Sequence, residues 1–138
     1  TANGITAPTT GIRTAHYNPS SYMLLGFDGG PGDFNVVTSG YQSMPKEVKV
    51  GDSAIEGTFD TYTSADMSIK VATCEQKFIV EPLTSVSILV NETTSCKSAL
   101  TGDISVDQMR VSIDKNGALK IVSLVTSSKD GTLTFTAQ

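Results

Sequence analysis

The chain predicts an all-β fold of antiparallel strands, and three observations carry that expectation. First, apolar and polar side chains alternate at a period of two, most cleanly where Met109, Val111 and Ile113 interleave with Arg110, Ser112 and Asp114; this is the pattern of a strand with one buried face. Second, short reversal signals separate the segments, as at Asp114-Lys115-Asn116-Gly117 and Lys129-Asp130-Gly131, where Asn and Gly tolerate the positive φ of tight turns. Third, no segment repeats apolar residues at helical spacing, and the connections are too short for the crossovers that parallel strands require. About 8 to 10 short strands and no substantial helix follow from this spacing. The favoured architecture is an antiparallel β-sandwich, with a closed or partly open β-barrel as the alternative.

Residues 1–21 contain Pro8 and Pro19, lack periodicity and offer Ile5, Ile12 and Tyr17 as their large apolar anchors. They read as an extended N-terminal arm ahead of a single β domain, residues 22–138. Residues 22–27 and 34–38 are short apolar runs, separated by the turn-rich loop Asp28-Gly29-Gly30-Pro31-Gly32-Asp33. Pro45 suits a strand start or edge, and Val48 and Val50 lead into a turn at Gly51-Asp52. Ile55, Gly57 and Phe59 then face one way and Glu56, Thr58 and Asp60 the other, after which Met67, Ile69 and Val71 resume the alternation. Residues 77–80 and 84–90 read as two strands parted at Glu81-Pro82-Leu83, because proline denies the ladder a donor. The polar stretch 91–98 places Cys96 in or beside a loop. Residues 100–106 lead through a turn at Gly102-Asp103 into the closing meander of 109–114, 118–125 and 132–137. A single turn of helix fits at 43–47 or 103–108. Within 118–125 the apolar parity changes from Leu119 and Ile121 to Val122 and Leu124, which requires either a bulge or cover on both sides.

Charged residues make up 17% of the chain and the formal net charge is −4, with the ten basic residues scattered. Phosphate binding needs clustered Lys and Arg, so neither nucleic acid nor an anionic membrane is an expected partner. No apolar run approaches the roughly 20 residues of a membrane span and no charged-then-apolar leader is present, so a soluble chain without membrane insertion is expected. Cys74 and Cys96 are the two cysteines. They form either a disulfide, whose closure of a loop of about 23 residues is worth roughly 3 kcal/mol, or a pair of reduced buried thiols. Asn91-Glu92-Thr93 is a glycosylation sequon, whereas proline excludes Asn18-Pro19-Ser20.

Little reactive chemistry is visible. His16 is the single histidine and lies in the arm, which removes multi-histidine zinc sites and leaves no Ser-His-Asp arrangement within the domain. Glu56 and Asp60 fall about 13 Å apart along one strand, beyond the roughly 5 to 9.5 Å of glycosidase pairs; Asp60 with Asp66 across a turn reads as charge on a wet face. No phosphate-loop motif occurs. Asp28 and Asp33 are weak candidate calcium ligands, and their loop from Asp28 to Asp33 is a candidate interaction loop. No cofactor is expected. Tyr17, Tyr22, Tyr41 and Tyr62 read as core or rim instead of a binding platform, since no Trp and no flanking basic residues accompany them. Phe27, Phe34, Phe59, Phe78 and Phe135 read as core.

These features point to a non-enzymatic structural or assembly subunit. Its arm, anchored by Ile5, Ile12 and Tyr17, would strap a neighbouring subunit in a virion, a filament or a cell-surface layer. The expected partners are copies of itself or another structural protein, and the expected location is extracytoplasmic. The alternative is a secreted or surface binding module, either an adhesin-like sandwich or a small barrel lined by Met67, Ile69, Val71, Val86, Ile88, Val111 and Ile113. A third reading is a hydrolase whose carboxylates only the fold brings together.

Overall fold

The computed structural model describes residues 14–20, 23–30, 32–40, 42, 45 and 47–136. They form nine strands: β1 Thr14–Tyr17, β2 Leu24–Asp28, β3 Phe34–Val37, β4 Ser53–Tyr62, β5 Lys70–Thr84, β6 Ser87–Ser98, β7 Ile104–Asp114, β8 Leu119–Ser128 and β9 Gly131–Thr136. Every strand pairs antiparallel with its neighbours in sequence, giving one sheet in the order β1 to β9. The all-β antiparallel expectation holds, and no described residue is helical. The strands hydrogen-bond as a single sheet; β1 and β9 are its two edges and do not pair, so it is not closed into a barrel.

The turns follow the sequence signals closely. Between β7 and β8 the Asp114 carboxylate accepts from the amides of Asn116 at 2.8 Å and Ala118 at 2.9 Å, with Gly117 at φ 81°. The change of parity in β8 is a bulge: Arg110 pairs with Ser123 and Val111 with Ile121, which leaves Val122 as the extra residue.

Four expectations about segments are corrected. β5 runs through Pro82, which pairs with Ile88 beside a register shift, and the reversal falls instead at Ser85-Val86; a proline beside a bulge near a strand end costs the ladder little. Met67 and Ile69 lie in the turn before β5, where Asp66 accepts from the Ser64 hydroxyl and the Ser68 amide and Met67 takes φ 55°. Residues 91–98 belong to β6, with Cys96 paired inside the ladder near its end, opposite Cys74, and the 103–108 stretch enters β7 at Ile104. Of the 43–47 stretch, Ser43, Met44 and Lys46 lie outside the described residues.

The core is small. Phe78, Val80 and Val90 are buried together, with Val48, Ile88 and Ile113 packed against them; each such burial is worth roughly 1.5–3 kcal/mol. Segment 47–52 is held over this end of the sheet by the Gly51 amide donating to the Val80 carbonyl and the Val80 amide to that of Asp52. At the other end Phe27 meets Phe59 edge to face, with ring centroids 5.5 Å apart. Beside this pair β2 and β3 approach so closely that a Cβ on Gly26 would lie 2.1 Å from the Asn35 carbonyl oxygen. Phe135, expected in the core, is 58% exposed. The proposed barrel interior does not form either: Met67, Ile69, Val71 and Val86 are exposed, and an open sheet has no lumen for them to line.

Candidate functional site

Register assigns one face of the sheet to the site. Ala15 lies opposite Phe27, Phe27 opposite Asn35, Asn35 opposite Thr61, Phe59 opposite Cys74, Cys74 opposite Cys96 and Gln76 opposite Thr94. Residues from β1 through β7 line a single cavity of about 610 Å³, so the sheet curls and this face is its concave one. Such a volume lies within the range of small-ligand sites.

The cavity has three kinds of wall. Tyr17, Phe27 and Phe59 supply aromatic surface, and Cys74 and Cys96 contribute a disulfide with Cα atoms 4.0 Å apart. The polar part is a hydrogen-bonded chain. Buried Asn35 donates its amide to the Asp33 carbonyl at 3.0 Å and carboxylate at 2.7 Å, and accepts the Thr61 hydroxyl at 2.7 Å. Gln76 donates to the Glu92 carboxylate. Among the described residues, Asp33, Glu92 and Asp107 are the charged members of the lining, and no Lys, Arg or His joins them.

Glu56 stands beside this wall and was not visible as a site residue. Ile55 pairs with Lys77 and Gly57 with Gln76, so Glu56 is the extra residue of a β4 bulge. The bulge turns its side chain inward, and the residue is only 4% exposed, with Oε2 buried and unpartnered. Burial, and then repulsion from Glu92, push its pKa up to about 7, against a hydrogen bond from Gln76 that lowers it. Glu92 is also raised, by burial first, with Gln76 again opposing. The fold thus brings together two glutamates 36 positions apart (92 − 56), whereas the local pair of Glu56 with Asp60 does not form. Asp60 sits on the opposite face, ion-paired to Lys70 at 2.8 Å and accepting from Thr73.

The other candidates fall as follows. Asp28 accepts the Gly30 amide at 2.8 Å, and the loop closes on itself through Gly29 donating to the Asp33 carbonyl and Asp33 to that of Gly30. Gly32 donates to the Thr63 carbonyl, while Pro31 lies outside the described residues. The two aspartates therefore brace the loop, and among the described residues no group of three or more His, Cys, Asp or Glu converges to hold a metal. Tyr17, assigned to the arm, belongs to β1 and lines the cavity; Ile5, Ile12, Tyr22 and Tyr41 lie outside the described residues. Asn91 of the sequon is buried in β6. Asn35→Ala is expected to cost about 2 kcal/mol in chemical denaturation, because it strands the Thr61 hydroxyl and an Asp33 carboxylate oxygen; a loss under half that would mean water replaces the amide.

No protein-family model matches the chain, and no curated protein or solved structure shows significant similarity to it.

Proposed function

We propose that this chain is a structural assembly subunit that joins copies of itself along the open edges of its sheet. Residues 1–13, which precede the edge strand β1, then serve as a strap on a neighbour. The disulfide favours an extracytoplasmic setting, where such bonds persist. The observation that carries the reading is β9: Gly-Thr-Leu-Thr-Phe-Thr, exposed along its whole length, without a charge, a proline or a bulge. Natural edge strands are ordinarily guarded by one of these devices, since a bare edge templates further pairing. β1, at the far edge, is likewise exposed and carries no Asp, Glu, Lys or Arg. On the concave face beside β9, Leu119, Ile121, Leu124, Leu133 and Phe135 are 43% to 70% exposed, a contiguous apolar patch of the kind that marks an interface. Strand addition of one copy's β1 to the next copy's β9 satisfies both edges and continues the concave face on which the patch lies.

Light scattering over a concentration series tests this. The intact chain is expected to grow in mass, and a chain lacking residues 1–13 to grow less. The double variant Leu133→Lys, Phe135→Lys is expected to remain monomeric with an unchanged β spectrum, because both side chains are already exposed. An intact chain that stays monomeric at every concentration would overturn the proposal. A second reading, a surface binding module, is favoured by the concave cavity itself.

A further inference from the structure

We infer that the concave cavity binds an organic cation, an alkylammonium or guanidinium group received by the face that Tyr17, Asp33, Glu92 and Asp107 line. This deepens the binding-module reading and is independent of edge assembly. The argument rests on which polar groups remain available. A sugar or other neutral polyol needs donors and acceptors in similar number, yet the amide donors are committed, Asn35 to Asp33 and Gln76 to Glu92, as is the Thr61 hydroxyl to Asn35, which leaves the hydroxyls of Tyr17 and Thr94 against three carboxylates. What remains toward the cavity is mostly acceptor capacity with negative charge, alongside the aromatic faces of Tyr17 and Phe59. Aromatic faces and carboxylates together attract ammonium groups. The carboxylates do not converge tightly enough for a metal ion, so a diffuse organic charge fits better than a compact one.

The buried glutamate is a second, independent sign. Glu56 Oε2 has no partner and its carboxyl faces Glu92 and Gln76, which leaves uncompensated acceptor capacity beside the cavity wall. Among the described residues no cation faces it: β5 contributes Gln76, β6 Glu92, β7 Asp107 and the lead into β3 Asp33, while Lys77 and Arg110 lie on the other face. An arriving cation favours the ionised form of Glu56 and Glu92, whose carboxyls burial pushes toward the protonated form, so binding lowers the share of proton-bound carboxyl and tightens as pH rises.

Calorimetric titration of the full chain with spermidine, choline and a short lysine-rich peptide at pH 8 and pH 5.5, with glucose and succinate as controls, tests this. Saturable binding of at least one cation is expected, about tenfold tighter at pH 8. Asp107→Asn and Tyr17→Ala, both at exposed positions, are each expected to weaken it about fivefold or more. Preference for spermidine or choline assigns a small-molecule site, and preference for the peptide a basic segment of a partner; either supports the inference. Failure of all three to saturate, equal binding by the Asp107→Asn and Tyr17→Ala variants, or tighter binding of glucose would overturn it. Because the readout is heat of binding and not mass, failure here leaves the edge-assembly reading standing, and failure of assembly leaves this one standing.

Discussion

A Glu56→Gln variant is expected to be about 3 kcal/mol more stable than the parent at pH 8, and to lose most of the parent's decline in stability between pH 4.5 and pH 7. The sign follows from where the proton sits. The unfolded chain releases it near 4.5, whereas the folded chain holds it to about 7, chiefly because burial disfavours the carboxylate and Glu92 repels it. Below 4.5 both states are protonated and Glu56 has no effect on the balance. Between 4.5 and 7 the folded state binds more protons, so stability falls with rising pH by up to 1.36 kcal/mol per pH unit. Above 7 the whole penalty is present, and it stays constant. Glu92, raised in the same direction by burial, steepens the decline from the same starting point. Gln is nearly isosteric and cannot ionise, so it removes the desolvation and repulsion together. Urea unfolding at pH 5, 6, 7 and 8 measures the effect: with an m-value of about 1–3 kcal/mol/M, the variant's midpoint at pH 8 should rise by roughly 1 M or more. A parent as stable at pH 8 as at pH 5 would sink this account.

The strand content and most of the reversals were legible because each is written locally. Asp114 to Gly117 makes its turn with its own side chain, and the change of parity in 118–125 shows in the sequence as either a bulge or two-sided cover, which the register resolves as a bulge at Val122. What was not legible depends on register, which no local pattern carries. Met67 and Ile69 alternate like a strand, yet the Asp66 carboxylate gathers the Ser64 and Ser68 donors into a turn. Residues 91–98 are themselves polar apart from Cys96, so they show no apolar period although they pair with β5 from Ile79 to Ala72, and a polar strand looked like a loop. Glu56 was placed on the solvent face by counting twos; one extra residue in β4 reverses that and buries its carboxyl beside Glu92, which raises its pKa. The signal that could have found the site was the cysteine pair. Taken as directly opposed strand residues, Cys74 and Cys96 fix the β5 and β6 register, which sets Gln76 across from Thr94 and Phe78 across from Glu92.

That same pair is expected to supply the other large effect. Reducing the Cys74–Cys96 bond, or replacing both residues by Ala, should lower stability by about 3 kcal/mol and the melting midpoint by about 10 °C, read by thermal unfolding with and without reductant. The loop spans a sequence separation of 22, and cross-linking it removes conformations from the unfolded chain in proportion to the logarithm of that length. The folded state should keep its architecture, because the register pairs from Ala72 with Ser98 to Thr84 with Ser87 hold β5 to β6 without the bond. Room-temperature β content is therefore expected to change little while the midpoint falls. Packing adds a second term that separates the two ways of breaking the bond. Cys74 is 1% exposed and its sulfur lies 3.8 Å from the Thr61 hydroxyl; Ala at this position leaves a void, while reduction keeps the sulfur. The double Ala variant should thus melt below the reduced parent, by an amount that measures the lost sulfur burial and the void together. A reduced chain that melts within a degree or two of the oxidised one would mean that the unfolded chain already keeps these strands together, and that the bond serves the shape of the cavity wall more than the stability of the sheet.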